Sequence, residues 1–504
     1  MKFFLAASLL MATSSTSAAY VAPTTNYDRC LTQAEADDIA AAISNGVVVD
    51  LFPDKVASDQ SSYWEMEYHG TYKILKNTQD TINTQYLLYQ CGLPMPLDEA
   101  ELAKFDSVFP VPYDGGLVVT ATTQIPNIEI LGRRRQISAF AVTENLVSSP
   151  CLSQVLIPEG KENGSITMLP LYNDTALEEY LTTNPDSLIL GGSWDSAPKM
   201  NNKVIISDVG EDPQRAIDDG VDINEATAEW LEVIGTLFNQ EKFAHEYNEE
   251  RRQRYECHKQ NAEQLALAVE DSVRPKVLWG YYYADISGFD APESPNYYVT
   301  YAEHCQADLL IPEDGKEGSI DSWGYKYMND EEWLEFGKEA DVWIYTSDNF
   351  NQLLSQKFDY LQQFKAVQNK QVYDYQLSGG EGWFERRLAE YDVVLLDACQ
   401  VVGRNVETFP PHQRKWLRNV FTESPGTLGV CTDVDEPFEA RHTECVSHEE
   451  GLTTEEGNKD DLSDTDIKGE TPAAVDANQP SSASQVQLAQ AIFASMILMW
   501  TVHA

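Results

Sequence analysis

The residues in this chain best suited to recognition chemistry are aromatic, and they gather where short apolar runs end. Trp194, Trp279, Tyr281, Tyr282, Tyr283, Trp323, Tyr327, Trp343, Tyr345 and Trp383 form this set. Flat faces of that kind, joined by a few hydrogen-bond donors, grip the organic surface of a bulky ligand. Trp194, Trp279, Tyr281 and Trp383 adjoin glycine or turn residues, which favours a place at a binding surface, whereas Trp343 sits mid-strand and reads as core. Tyr283 and Trp323 complete the aromatic candidates. Two polar candidates, Thr123 and Gln124, occupy the turn after the run Leu117-Val118-Val119-Thr120. The carboxyl end of such a strand is where α/β sheets place ligand contacts.

Other chemistries find less support. Zinc or manganese held directly by protein needs converging histidines and carboxylates, and the eight histidines here are scattered. The one local group, Glu303-His304-Cys305, reads as ordinary packing with a disulfide. No GxSxG elbow, HExxH pair, phosphate loop or GxGxxG occurs, so no catalytic residue is assigned and no cofactor is expected. Two carboxylates meeting in space, as in a membrane-tethered cell-wall glycoside hydrolase, stay open as an alternative among 81 acidic residues.

The elements that position these residues follow from pattern. Ala34 to Ile43 reads as a helix, and Tyr63 to Gln90 holds alternating runs that suit strands. Strands are expected at Leu117–Thr120, Pro185–Gly192, Lys203–Ser207, Pro275–Tyr283, Asp341–Thr346, Val372–Tyr375 and Asp392–Asp397. Helices are expected at Asn127–Leu131, Asp174–Tyr180 and Asp330–Glu339. That alternation predicts an α/β fold of two lobes with parallel sheets and covering helices, residues 111–224 and 270–405. Between them, residues 225–269 lack proline and keep a helical apolar rhythm, which predicts one linking helix about 60 Å long. Two successive helices bending near Gly235 are the alternative. A rigid strut leaves a cleft suited to a preformed ligand, and the receptor reading leans on its being unbroken.

The ends of the chain suggest sorting. Residues 1–19 have the layout of a secretory signal, 20–110 form an N-terminal extension, and 406–447 a C-terminal elaboration. Eight cysteines suit an oxidising compartment, with Cys431 and Cys445 the easiest pair by loop length. Asn163 and Asn173 open glycosylation sequons. Residues 448–487 read as an acidic disordered linker and 488–504 as a hydrophobic tail, the pattern of a glycolipid anchor signal, or alternatively of a single-pass membrane tail. A formal net charge of −46 excludes nucleic acid as a natural partner.

Taken in order, Thr122-Thr123-Gln124-Ile125-Pro126 and its short helix to Leu131-Gly132, the Pro185-Asp186 strand, Glu229-Trp230 and Pro275-Lys276-Val277-Leu278 carry a resemblance. The chain resembles the helix-linked, TroA-like binding proteins of iron-siderophore and cobalamin uptake, over about Val111 to Val402. Its secretory start, acidic linker and apolar tail look most like the ferrichrome-binding surface proteins of iron-limited marine diatoms. The resemblance implies two Rossmann-like lobes joined by a long helix, and a cell-surface receptor that binds ferric hydroxamate siderophores in a shallow groove. Iron then arrives only as a preformed chelate, and an uptake or internalisation partner receives it. A corrinoid is the alternative bulky ligand. Within the resemblance, Arg133 and Arg134 of the triplet Arg133-Arg134-Arg135 are placed to donate to hydroxamate carbonyls, a solvated basic turn being the other reading.

Overall fold

The structure is a computed structural model that describes residues 20–446, apart from 79–83, 143, 158–163, 172, 192–203, 207–212, 269–272, 285–286, 291, 293–295, 313–318, 321–325 and 381. The expected signal, linker and tail lie outside the described residues, as do Trp194, Trp323 and Asn163. The chain forms two compact units, one of Met1–Asp114 with Leu231–His245, the other of Gly115–Trp230 with Glu246–Ala504.

The first unit is built on four strands, β1 Trp64–Tyr68, β2 Tyr72–Asn77, β3 Thr84–Gln90 and β4 Ser107–Val111, paired in sequence order. Its opening helix, Gln33–Ser44, starts with a capping box in which Thr32 and Glu35 exchange side-chain and backbone hydrogen bonds. Lys73 projects from β2 into a fully buried site, where its ammonium donates to Asn239 Oδ1 at 2.9 Å and pairs with Glu241. Asn26 closes the network by donating to Glu241 Oε2 at 2.8 Å. Every charge here has a partner, the condition for burying an ion pair at tolerable cost.

That network explains a departure from the expected strut. Residues 225–269 are not one helix: Ile223–Ala228, Trp230–Thr236 and Glu241–Leu267 are separate, with a sharp turn at 237–240. Asn239 takes a left-handed conformation, φ 55°, which asparagine tolerates better than most residues. Its amide donates to Tyr27 O and Gln90 Oε1. The turn lays Ala244 over Gly235, where an added Cβ would come within 2.9 Å of the Ala244 methyl group. The 27 residues of Glu241–Leu267 continue alone, about 40 Å of helix.

The second unit contains two sheets with parallel strands. The first comprises β5 Leu117–Val119, β6 Ile137–Phe140, β7 Thr167–Met168, β8 Leu188–Gly191 and β9 Val204–Ile206, in the order β7-β6-β5-β8-β9 and parallel throughout. The remaining strands are β10 Lys276–Trp279, β11 Tyr282–Tyr283, β12 Gly288–Asp290, β13 Asp308–Leu309, β14 Ser319–Ile320, β15 Lys326–Met328, β16 Val342–Ile344, β17 Val372–Asp374, β18 Thr408–Phe409, β19 Arg418–Asn419 and β20 Glu444–Cys445. The second sheet runs β13-β10-β16-β17-β19. Val277, Trp279, Val342 and Ile344 pack into one core and Leu278 and Trp343 into another, so this sheet is covered on both faces, as parallel sheets are. The fold is mixed α/β with parallel sheets.

At the sheet's edge the expected strand Asp392–Asp397 is instead part of the helix Tyr391–Val401. Its apolar run, Val393 to Leu396, is buried on all sides and has no period to separate the two readings. The fifth strand is β19, antiparallel to β17. The Arg418 guanidinium fixes it by donating to Asp374, while Asp397 accepts the backbone N–H groups of Lys415, Trp416 and Leu417.

All eight cysteines are paired: Cys30–Cys91, Cys151–Cys431, Cys257–Cys445 and Cys305–Cys399. The expected Cys431–Cys445 bridge is therefore absent. Its two halves are held apart, Cys431 beside Gln154 and Cys445 in the β18–β20 pair. The Glu303-His304-Cys305 group does carry a disulfide, and His304 Nδ1 lies 2.9 Å from the Tyr255 hydroxyl.

Candidate functional site

The strand β10 ends at Gly280, whose φ of 147° turns the chain out of the sheet. A Cβ there would meet Asp290 O at 2.3 Å and Trp333 Cη2 at 2.8 Å, so only glycine fits. Trp343 donates from Nε1 to Gly280 O at 2.9 Å and locks the bend. Gly280→Ala will lower unfolding free energy by about 1–3 kcal/mol, measurable by urea denaturation.

The bend delivers Tyr281, Tyr282 and Tyr283, all half-buried, to the edge of a small sheet, β11-β12-β15-β14. Tyr281 lies edge-on to Tyr283 and to Tyr345, with centroids 6.1 and 6.4 Å apart, and Tyr283 tilts against Tyr327 at 6.2 Å. Burial, followed by the nearby Asp290, Tyr283, Tyr327 and Tyr375, holds the Tyr281 phenol well above its ordinary pKa. It stays a neutral donor at any physiological pH. Tyr375, at the end of β17, continues the row by meeting Phe384 edge-on at 5.2 Å.

Phe384 belongs to the short helix Gly382–Arg386, and this helix packs against Thr122–Gln124 and Ile125–Ile130 after β5. Tyr375 and Phe384 thus join the carboxyl end of β17 to the helix that packs on the turn carrying Thr123 and Gln124. Thr123 is half-buried and Gln124 wholly buried. Pro126 near the helix start and the buried Ile125, Ile128 and Ile130 make this turn a rigid mount.

The same helix contributes Glu385, a fully buried carboxyl that accepts the Ser148 N–H at 2.7 Å. Burial first, and then the Glu129 carboxylate, raise its pKa to about 8. Glu129 accepts from Arg134 Nε at 2.5 Å and Ser149 Oγ at 2.7 Å. Glu385 therefore favours its protonated form at neutral pH, beside the Glu129 carboxyl group. Sequence reading missed this pair, because acidic residues are too numerous for any two to stand out.

The other candidates are distributed more widely. Arg134 is buried, and besides Glu129 it donates to Val434 O and Glu436 O, so its guanidinium is committed within the fold. Arg133 is half-buried, and Arg135 faces solvent against Asp435. Trp279 stacks on Tyr298 at 4.9 Å inside the core. Trp383, 2% exposed, lies between Tyr375 and Trp416, with the Arg387 guanidinium 5.6 Å from its centroid. Tyr281, Tyr283 and Thr123 are each half-buried, and the Thr123 hydroxyl itself is buried with no hydrogen-bond partner among the described residues.

Among the described residues no group of three or more His, Cys, Asp or Glu converges as a metal site, and no helix is long and apolar enough to cross a membrane.

No protein-family description and no curated protein matches the chain. Similar solved structures do exist. A possible iron-binding, periplasmic solute-binding protein from Staphylococcus epidermidis is 15% identical, with 57% of this chain and 98% of that one covered at a TM-score of 0.35. A periplasmic heme binding protein from Pseudomonas aeruginosa is 12% identical, with 61% and 99% covered at 0.41. A TroA-like periplasmic binding protein, FepB, from Veillonella parvula is 15% identical, with 57% and 86% covered at 0.39. These neighbours are described as solute-binding proteins; at such low identity and TM-score they decide nothing about what this chain binds.

Proposed function

We propose that this chain is an extracellular binding protein for ferric hydroxamate siderophores, which it takes up as finished chelates and passes to an uptake or internalisation route. The interrupted helix removes the rigid strut as a reason for this reading. The observation that carries it is the tyrosine row Tyr281–Tyr283–Tyr327, in which Tyr281 and Tyr283 follow the bend at Gly280 and the Tyr281 phenol is kept neutral. Neutral phenols are poor direct ligands for iron but good donors to the oxygens of a chelate, and their rings cover its organic shell. Iron then needs no protein ligand.

Complete pairing of the cysteines supports a secreted protein. The acidic linker and apolar tail support attachment at the outer face of the plasma membrane. No chemical step is assigned to the protein.

Tryptophan fluorescence tests the reading on the purified ectodomain. Ferrichrome or ferrioxamine B is expected to quench it saturably, and metal-free desferrioxamine only weakly. Quenching by cyanocobalamin with silence toward every ferric chelate would transfer the site to corrinoids, and silence toward all of them would end the proposal.

A further inference from the structure

Apart from the tyrosine row, the second unit has a cavity of about 470 Å³ between the helix Tyr391–Val401 and the loop that follows it. That volume lies in the range of small-molecule sites, roughly 300–1,000 Å³. Leu396, fully buried, forms its floor, and Phe409 stands at its mouth with 75% of its surface exposed. Phe409 is not a loose side chain, because its backbone pairs with Glu444 in the β18–β20 ribbon. An aromatic face is thus held open to solvent beside a pocket.

The polar lining is equally specific. The Gln400 side-chain oxygen is buried and has no hydrogen-bond donor in reach, a condition that costs free energy unless a ligand or water supplies one. His412 is fixed by both ring nitrogens, Nε2 at 2.7 Å from Asp397 and Nδ1 at 3.3 Å from the Thr443 hydroxyl, so it presents only its carbon edge. Asn405 and Glu407 stand at the exposed rim, and Glu407 brings the one carboxylate to a lining that has no lysine or arginine.

We propose that this cavity is a second ligand site, for a neutral sugar of one or two rings. A sugar has what the lining asks for: a C–H face to lie on Phe409, a hydroxyl to donate to Gln400, and further hydroxyls for Asn405 and Glu407. An anionic ligand would meet Glu407 without a countercharge. A purely apolar one would leave the Gln400 oxygen unpaired. The site stands apart from the siderophore reading and does not rest on it.

Saturation-transfer NMR on the full chain tests it, with methyl α-mannoside, methyl β-glucoside and N-acetylglucosamine as probes at millimolar concentration. At least one is expected to receive transfer from the protein. Phe409→Ala, an exposed position outside the core, and Gln400→Leu should each cut that transfer at least fivefold while thermal stability stays as in the parent. Absence of transfer to all three sugars overturns the proposal, and so does transfer that survives both substitutions.

Discussion

Truncating both Tyr281 and Tyr283 to alanine will weaken ferrichrome binding about a hundredfold, as read by calorimetry on the purified protein. The two rings lie edge-on to one another at 6.1 Å at the end of β10. Aromatic anchors at the centre of a contact each contribute on the order of 1–2 kcal/mol, and 1.4 kcal/mol is a factor of about ten. Tyr281→Phe separates the two roles of the phenol. It keeps the ring against Tyr345, so its expected loss is only about tenfold, that of one hydrogen bond. Unchanged affinity in the double alanine variant would remove the tyrosine row from the binding surface, even if the parent protein binds the chelate well.

Stability will fall as pH rises from about 6.5 to 8. Glu385 and Glu225 are buried carboxyls, each with a folded-state pKa raised to about 8. For Glu385 the cause is burial and then Glu129, opposed by Arg386; for Glu225 it is burial and then Asp222 and Glu256, opposed by Arg252 and Lys259. The folded protein holds both protons where the unfolded chain has released them, so unfolding becomes easier with each step up in pH. Their stabilising contribution is complete below the unfolded carboxylate pKa and is lost as pH climbs through about 8. His258 and His304 act in the opposite sense. Burial lowers both to about 4, so they cost stability as pH drops below about 6.5 and offset the carboxyls there. Above that point the histidines are largely neutral in both states, and each carboxyl contributes a slope of at most about 1.4 kcal/mol per pH unit, halved at its own pKa. Urea unfolding at pH 6.5 and 8 is expected to differ by about 3 kcal/mol for the pair. The Glu385→Gln/Glu225→Gln double variant should be nearly flat over this interval; a slope equal to that of the parent would show that neither proton is held.

Much of the fold is legible in local pattern. The strands β1 to β3, β5, β8, β9, β16 and β17 lie within expected stretches, and the helices Gln33–Ser44 and Ile125–Ile130 overlap the expected Ala34–Ile43 and Asn127–Leu131, because alternation, caps and proline act over a few residues. What escaped was decided at long range. Val393 to Leu396 reads equally well as strand or helix until Asp397 is seen holding three amide groups of Lys415 to Leu417. The break at 237–240 falls close to Gly235, where a bend is the alternative to one helix, but the polar groups that stabilise it sit far off in sequence on Tyr27, Lys73 and Gln90. Cys431 and Cys445 are neighbours in sequence yet bond to Cys151 and Cys257, which packing alone could choose. At the candidate site, glycine beside an aromatic marked the bend at Gly280 and thus Tyr281. The same signal also marked Trp279 and Trp383, which the structure buries, since a turn residue tells where a chain bends and not which way its neighbour faces. Glu385 had no local signature at all, because its burial comes from a helix laid on Thr122 to Ile130.

The polar network around Lys73 has a consequence for synthesis. Its counter-charge, Glu241, lies 168 residues further along, and the segment Leu231–His245 that carries it also completes the first unit. At ribosomal speeds of roughly 5–20 residues per second, that is a delay of about 10 to 30 s. During this interval the amino-terminal sheet has emerged with an unpaired ammonium and an unfilled seat, while β5 to β9 of the next unit are already outside. The region made first is therefore unable to finish first, and early survival of the nascent chain depends on whatever shelters an incomplete sheet.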